Sequence, residues 1–198
     1  MGWMMSGTYS NFFKNVALPV FLVGATVPDI ALADKAAAER TVHRYVDFNI
    51  LSVHDPFDRE RVYYRDDDGE KKNFNEKNWG IGYTQLHDIT HFMDADLRIG
   101  GSVGYYKNSY SKDSFYASTQ GELAYKLHKD WTLSVGMMAG VVTGYDHVSG
   151  YKATPAGQLY LRGEYADKYS VKLGYMPELA IKDRVNPELI TLQASIKF

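Results

Sequence analysis

Side chains able to do chemistry are few and far apart in this chain of 198 residues. His87 and His91, with Asp94 and Asp96 nearby, carry metal-ligating atoms, but the expected turn there has no helix to set positions four apart on one face, so no metal is expected. The acidic run 66–70 lacks the alternate spacing of a calcium loop and reads as a solvated loop tip. His54 supplies an imidazole, and Asn108 with Ser109 supplies an amide and a hydroxyl. Taken alone, these read equally as a solvated loop histidine and a turn, because Asn and Ser favour turns for local reasons. Cysteine is absent, which removes disulfides and thiol chemistry.

What these groups can do depends on the elements that hold them. In the last eleven residues Ile190, Leu192, Ala194, Ile196 and Phe198 fall on one face, and Thr191, Gln193, Ser195 and Lys197 on the other. A soluble half-buried strand has the same two-residue period. Repetition strengthens a membrane reading: the pattern recurs over 45–53, 78–86, 97–106, 115–127, 131–145, 157–165, 169–175 and 189–198, in lengths near those of tilted transmembrane strands. The clearest case sets Phe115, Ala117, Thr119, Gly121, Leu123, Tyr125 and Leu127 against Tyr116, Ser118, Gln120, Glu122, Ala124 and Lys126. The expected fold is all-β: an eight-stranded antiparallel up-and-down outer-membrane barrel over 45–198. Short links at 128–130 and 166–168 alternate with a long one at 59–77, as periplasmic turns and outer loops do.

Ahead of the barrel, Lys14, the apolar stretch 16–23 and the small-x-small pattern Ala31-Leu32-Ala33 read as an export signal over 1–33. Residues 34–44 have the alanines and charge balance of a short amphipathic helix. A net charge of −2 with no basic, aromatic-interleaved stretch argues against nucleic acid as a partner. Sixteen tyrosines and a mean hydropathy of −0.35 suit a barrel that is polar on average and carries aromatic girdles.

Inward positions divide by depth. Toward the outer half they include Gly80, Gly82, Gly104, Tyr106, Tyr116, Met138, Gly140, Val142, Gly174 and Met176, which suits a slot for a hydrocarbon chain, with Gln120 near a floor. Equally, small residues let side chains fill a narrow interior. Toward the periplasm Arg98, Glu122, Lys126, Arg162, Glu164 and Lys172 read as a plug of mutually compensated charges. An eight-stranded barrel is too narrow for an aqueous channel.

His54 at the outer end of the first strand, the loop closing on Asn75-Glu76-Lys77-Asn78-Trp79-Gly80-Ile81-Gly82, Tyr106-Lys107-Asn108-Ser109, Met137-Met138-Ala139-Gly140-Val141 and Gly174-Tyr175-Met176-Pro177 stand in an order that resembles the lipid A palmitoyltransferase (PagP) family. The resemblance runs from about residue 34 to 198. It implies a monomeric outer-membrane enzyme without cofactor that moves a palmitoyl chain from a phospholipid donor to lipid A. It also implies an active site of His54, Asn108 and Ser109, with Asn108 where the family has aspartate. His54 would be the general base, Ser109 nucleophile or oxyanion donor, and Asn108 would orient the imidazole. The implied acyl pocket is Gly82, Gly104, Tyr116, Met138, Gly140, Val142, Gly174 and Met176. Asn108 departs from the family because an amide cannot stabilise an imidazolium by charge; Asp113 is a second candidate carboxylate. The prolines that break the wall for lipid entry are replaced at Asn49 and Asn78, leaving Pro155, Pro177 and Pro187 near the rim. Two other readings stay open: a barrel that kept the architecture without the chemistry and binds lipid or a surface partner, and a soluble all-β carrier.

Overall fold

The computed structural model describes residues 41–57, 63–65, 68–146, 152–177, 179–181, 184–186 and 188–198. Alternation of apolar and polar residues commits eight segments to strands: β1 (Val42–His54), β4 (Gly80–Phe92), β5 (Ala95–Lys107), β6 (Asp113–His128), β7 (Trp131–Thr143), β8 (Ala153–Tyr165), β9 (Tyr169–Met176) and β12 (Leu189–Lys197). They close in the order β1-β12-β9-β8-β7-β6-β5-β4, every neighbour antiparallel. Closure pairs each of the eight strands on both sides over at least part of its length. Four short strands form two hairpins in the long connections: β2 (Tyr63–Arg65) with β3 (Lys71–Asn73), and β10 (Leu179–Ile181) with β11 (Arg184–Asn186).

All eight expected strands are present, and most are longer than expected. Thirteen residues at about 3.3 Å each, tilted by about 40°, climb roughly 33 Å, more than the roughly 25 Å apolar band of such barrels. Strand ends therefore protrude and lose their apolar face, as at the foot of β4, where His87 to Phe92 extend beyond the expected end. β1 begins at Val42, so Val42, His43 and Arg44, expected in a helix, are strand residues. Thr41 ahead of it has no regular structure, and the rest of that helix, 34–40, and the export segment lie outside the described residues.

The two ends differ. At one, links of two and three residues carry left-handed backbone at Met93 and Asp94 and at Ala166 and Asp167, the twist that joins adjacent strands tightly. The other carries the long connections. On the outer wall, Ile99, Val103, Val135, Leu159, Leu161, Val171 and Leu173 are exposed apolar side chains. Trp131, Tyr165 and Tyr169 ring the short-turn end, and Trp79, Tyr105 and Phe115 the long-loop end. In water this wall would be a large aggregation surface; between acyl tails, with aromatics at both headgroup levels, it is matched to its solvent. The protein is an outer-membrane barrel, and the soluble-carrier reading falls.

The lower interior is the expected plug, with different members. Arg98, Arg162 and Lys172 are buried with Asp47, Glu122 and Glu164, three cations to three anions. Glu122 bonds Arg162, lies 3.5 Å from Arg98 and accepts from the Tyr160 hydroxyl at 3.1 Å. Glu164 accepts from Tyr45 at 2.7 Å, whose ring lies under the Arg162 guanidinium. Asp47 accepts from Thr84 and Ser195, each at 2.6 Å. Lys126, expected inside, is exposed: it stands in the last stretch of β6 before the turn, 125–128, which is exposed throughout and lies beyond the plug.

Candidate functional site

Above the plug lies a cavity of about 210 Å³ whose wall includes Leu51, Met138, Val142, Met176, Leu189 and Leu192. Alternation along β7, β9 and β12 turns Met138, Val142, Met176 and Leu189 inward while their neighbours meet lipid; Leu51 and Leu192, a cross-strand pair on the other face, border the space from within the wall. Of the expected acyl pocket, Tyr116, Met138, Gly140, Val142 and Met176 line it. Gly82, Gly104 and Gly174 do not. A Cβ on Gly82 or Gly104 would strike the Tyr116 phenol at 2.2 and 2.6 Å, and one on Gly174 would strike Thr191 and the Gln158 amide. Both readings of the small residues hold, at different positions: these three let side chains fill the barrel, and the space that remains lies beside them.

The wall is interrupted on one side. β9 pairs with β8 only from Leu159–Tyr175 down to Tyr165–Tyr169, so the upper part of β8, which carries Pro155, has no ladder with β9. One side-chain bond spans the breach from inside: Thr191 on β12 donates to Gln158 on β8 at 3.2 Å, and the Gln158 amide is held in turn by its β7 neighbour, the Met138 sulfur, at 3.0 Å. Pro155, Ala156, Gly157 and Pro177 border the cavity here. A break in the wall is thus present, beside the two prolines retained near the rim.

At the mouth, His54 ends β1 and its ring stacks on Phe74, centroids 4.1 Å apart. It is buried, and its Nδ1 has no hydrogen-bond partner. Ser109, also buried, lies 3.5 Å from the Ser52 hydroxyl and hydrogen-bonds Tyr145. Ser52 bonds Asn78, whose amide donates to the Lys107 carbonyl at 2.9 Å. His54 and Ser109 therefore border one cavity, together with Ser52, Asn78, Tyr106 and Tyr145. The near neighbours of the Ser109 hydroxyl are other hydroxyls, which suits donation to an oxyanion better than activation as a nucleophile.

Asn108 does not join them. Its amide donates to Ser114 at 3.0 Å and to the Gly144 carbonyl at 2.9 Å, and its oxygen accepts from the backbone of Tyr110 and Lys112, each at 2.9 Å. Every hydrogen-bonding position of the side chain is taken, so it ties the β5–β6 turn to the end of β7 and cannot orient His54. Gly144 makes this possible with φ of +83°, where a Cβ would lie 3.1 Å from the Asn108 amide. Asp113 faces outward, paired with Lys107 and Tyr105, each at 2.5 Å. Neither candidate acid serves the imidazole.

A feature without strand periodicity completes the mouth. Tyr64, Phe74, Tyr110 and Tyr145 pack edge-on or tilted in a chain, 4.7 Å between Tyr64 and Tyr110 and 5.8 Å between Tyr110 and Tyr145, roofing His54 and the cavity. Burial holds the Tyr145 hydroxyl above its usual range and pushes Tyr110 up to about 12.

No family model matches the chain, the palmitoyltransferase family included, and no curated protein matches it. Among solved structures it is similar to Ail, the attachment invasion locus protein of Yersinia pestis. The crystal structure of Ail is 10% identical over 79% of this chain and 97% of that one, with a TM-score of 0.36. Ail in complex with the heparin analogue sucrose octasulfate is 13% identical over 81% and 99%, TM-score 0.37. Ail in a phospholipid bilayer nanodisc is 10% identical over 80% and 100%, TM-score 0.38.

Proposed function

We propose that this protein is an outer-membrane lipid-binding barrel that admits a single hydrocarbon chain into its upper interior. The observation that carries this reading is the apolar cavity lying against the stretch where β8 and β9 share no ladder. A chain entering there exchanges one apolar surround for another and disrupts no backbone bond of that pair. The aromatic roof over the mouth suits retention of a greasy guest. The test is lipid extracted from purified protein: wild type retains a chain-bearing lipid, and Met138→Trp, which fills the cavity, retains roughly tenfold less. Equal retention by both would count against the reading.

A second reading is acyl transfer from phospholipid to lipid A, supported by the position of His54 and Ser109 on the same cavity. His54 would take a proton from the accepting hydroxyl, and Ser109 would donate to the developing oxyanion. The occupied Asn108 and the outward Asp113 count against it, since neither of these two positions sets a carboxylate on the imidazole. Lipid A mass spectra from cells expressing wild type and His54→Ala decide: an added acyl mass that depends on His54 supports transfer, and identical spectra remove it.

A further inference from the structure

The cavity has a cation in its floor. Lys172 on β9 lines it and is 4% exposed. Among the described residues no carboxylate lies within salt-bridge distance of its ammonium. Its nearest polar contact is the Gln120 amide oxygen at 3.5 Å, and its charge sits 4.9 Å from the centroid of the Tyr160 ring. By contrast, Arg98 and Arg162 each meet Glu122. Asn49, Gln193 and Lys172 share one rung across β1, β12 and β9, and all three line the cavity. The Asn49 amide nitrogen on that rung is buried and has no acceptor. An ammonium with no carboxylate in salt-bridge reach and an unpaired amide N–H thus face the bottom of the cavity, beside the Gln193 amide, whose oxygen is likewise unpaired.

A methyl end seated on this floor would strip the ammonium further and give it nothing in return. A carboxylate seated there accepts from both donors, in the charge-assisted geometry that makes such bonds strong. Size sets the rest of the ligand. A cavity of about 150 Å³ accepts benzene, so one of about 210 Å³ takes roughly eight carbons on the same scale. That is about half of a palmitoyl chain.

We infer that the cavity is a site for a medium-chain carboxylate, bound with its head on Lys172 and Asn49 and its tail toward the aromatic roof. This deepens the chain-binding reading and rests on it, while fixing the head group, the length and the direction of the guest. It also runs opposite to an acyl donor held with its reacting carbonyl at His54 and its tail on the floor.

The test titrates the full barrel, in lipid nanodiscs at pH 8, with octanoate carrying ¹³C at its carboxyl and separately with 1-octanol, empty nanodiscs being subtracted. Wild type binds octanoate at least roughly tenfold more tightly than octanol, the preference a charge-assisted pair confers. Lys172→Met erases that preference, bringing the octanoate and octanol affinities together. Asn49→Leu, which leaves the charges of the plug intact, weakens octanoate alone and serves if Lys172→Met does not fold. Equal affinity of wild type for the two probes, or unchanged octanoate binding in both variants, overturns the inference while chain binding stands. Binding of neither probe overturns both.

Discussion

The imidazole of His54 lies flat on the ring of Phe74, centroids 4.1 Å apart and planes inclined by only 11°. Phe74 follows the β2–β3 hairpin, so one ring contact fastens the longest described excursion of the chain to the end of β1. It also shields the imidazole from solvent at the place where a substrate would have to approach.

Phe74→Ala therefore uncovers His54. Peptide-level mass mapping after brief diethylpyrocarbonate treatment should show His54 modified several times faster than in wild type, with exposed His91 unchanged as internal control. Loss of the stack should also lower the stability of the mouth by about 0.5–1.5 kcal/mol beyond the area lost. An unchanged rate at His54 would mean that the ring contact does not shield it.

Asn108 is a structural tie, and its variants should behave as such. Asn108→Ala strands the backbone donors of Tyr110 and Lys112 and should cost about 2–4 kcal/mol in urea unfolding from lipid vesicles. Asn108→Asp sets a carboxylate oxygen against the Gly144 carbonyl and should also destabilise. It should not raise acyl transfer to lipid A, although it restores the acid of the palmitoyltransferase pattern. A gain of transfer with stability intact would contradict the role assigned here.

The aromatic roof should loosen in alkali. Burial pushes Tyr110 up to about 12, with the neighbouring Tyr145 and Tyr64 adding to the effect. An unfolded tyrosine ionises near about 10. The folded mouth therefore holds the proton more tightly, its contribution is complete below about pH 10, and it is lost as pH rises from there toward 12. Limited proteolysis of the outer loops should accelerate between about pH 10 and about pH 12 in wild type and less so in Tyr110→Phe. Identical acceleration in the two proteins would assign the effect elsewhere.

Strands were legible because a wall with lipid on one side and a packed interior on the other forces a two-residue period, as along Phe115 to Leu127. The paired charges could be read for the same reason, apart from Lys126, where the strand outlasts the membrane and the inward rule ceases to apply. Gly82 and Gly104 were misread as pocket lining because sequence shows an absent side chain but not the neighbour that fills the space, here Tyr116. The roof was invisible, since Tyr64, Phe74, Tyr110 and Tyr145 meet from four separate segments that carry no period. Asn108 resembled a catalytic position by its place beside Ser109, while its actual partners are its own turn, Ser114 at the far side of that turn, and Gly144 past the end of β7. An Asn ahead of a turn, with Gly144 closing the next one, was the signal available for a tie.

Met137 and Met138 are adjacent on β7 and point to opposite sides of the wall, Met137 toward lipid and Met138 into the cavity. With deuterated protein carrying ¹³C-labelled methionine methyls in lipid nanodiscs, nuclear Overhauser contacts to chain methylenes report each side separately. Entry of a hydrocarbon chain into the barrel gives methylene contacts at both Met137 and Met138, with those at Met138 lost on Met176→Trp. Contacts at Met137 alone, with Met138 touching only water or protein, would contradict it.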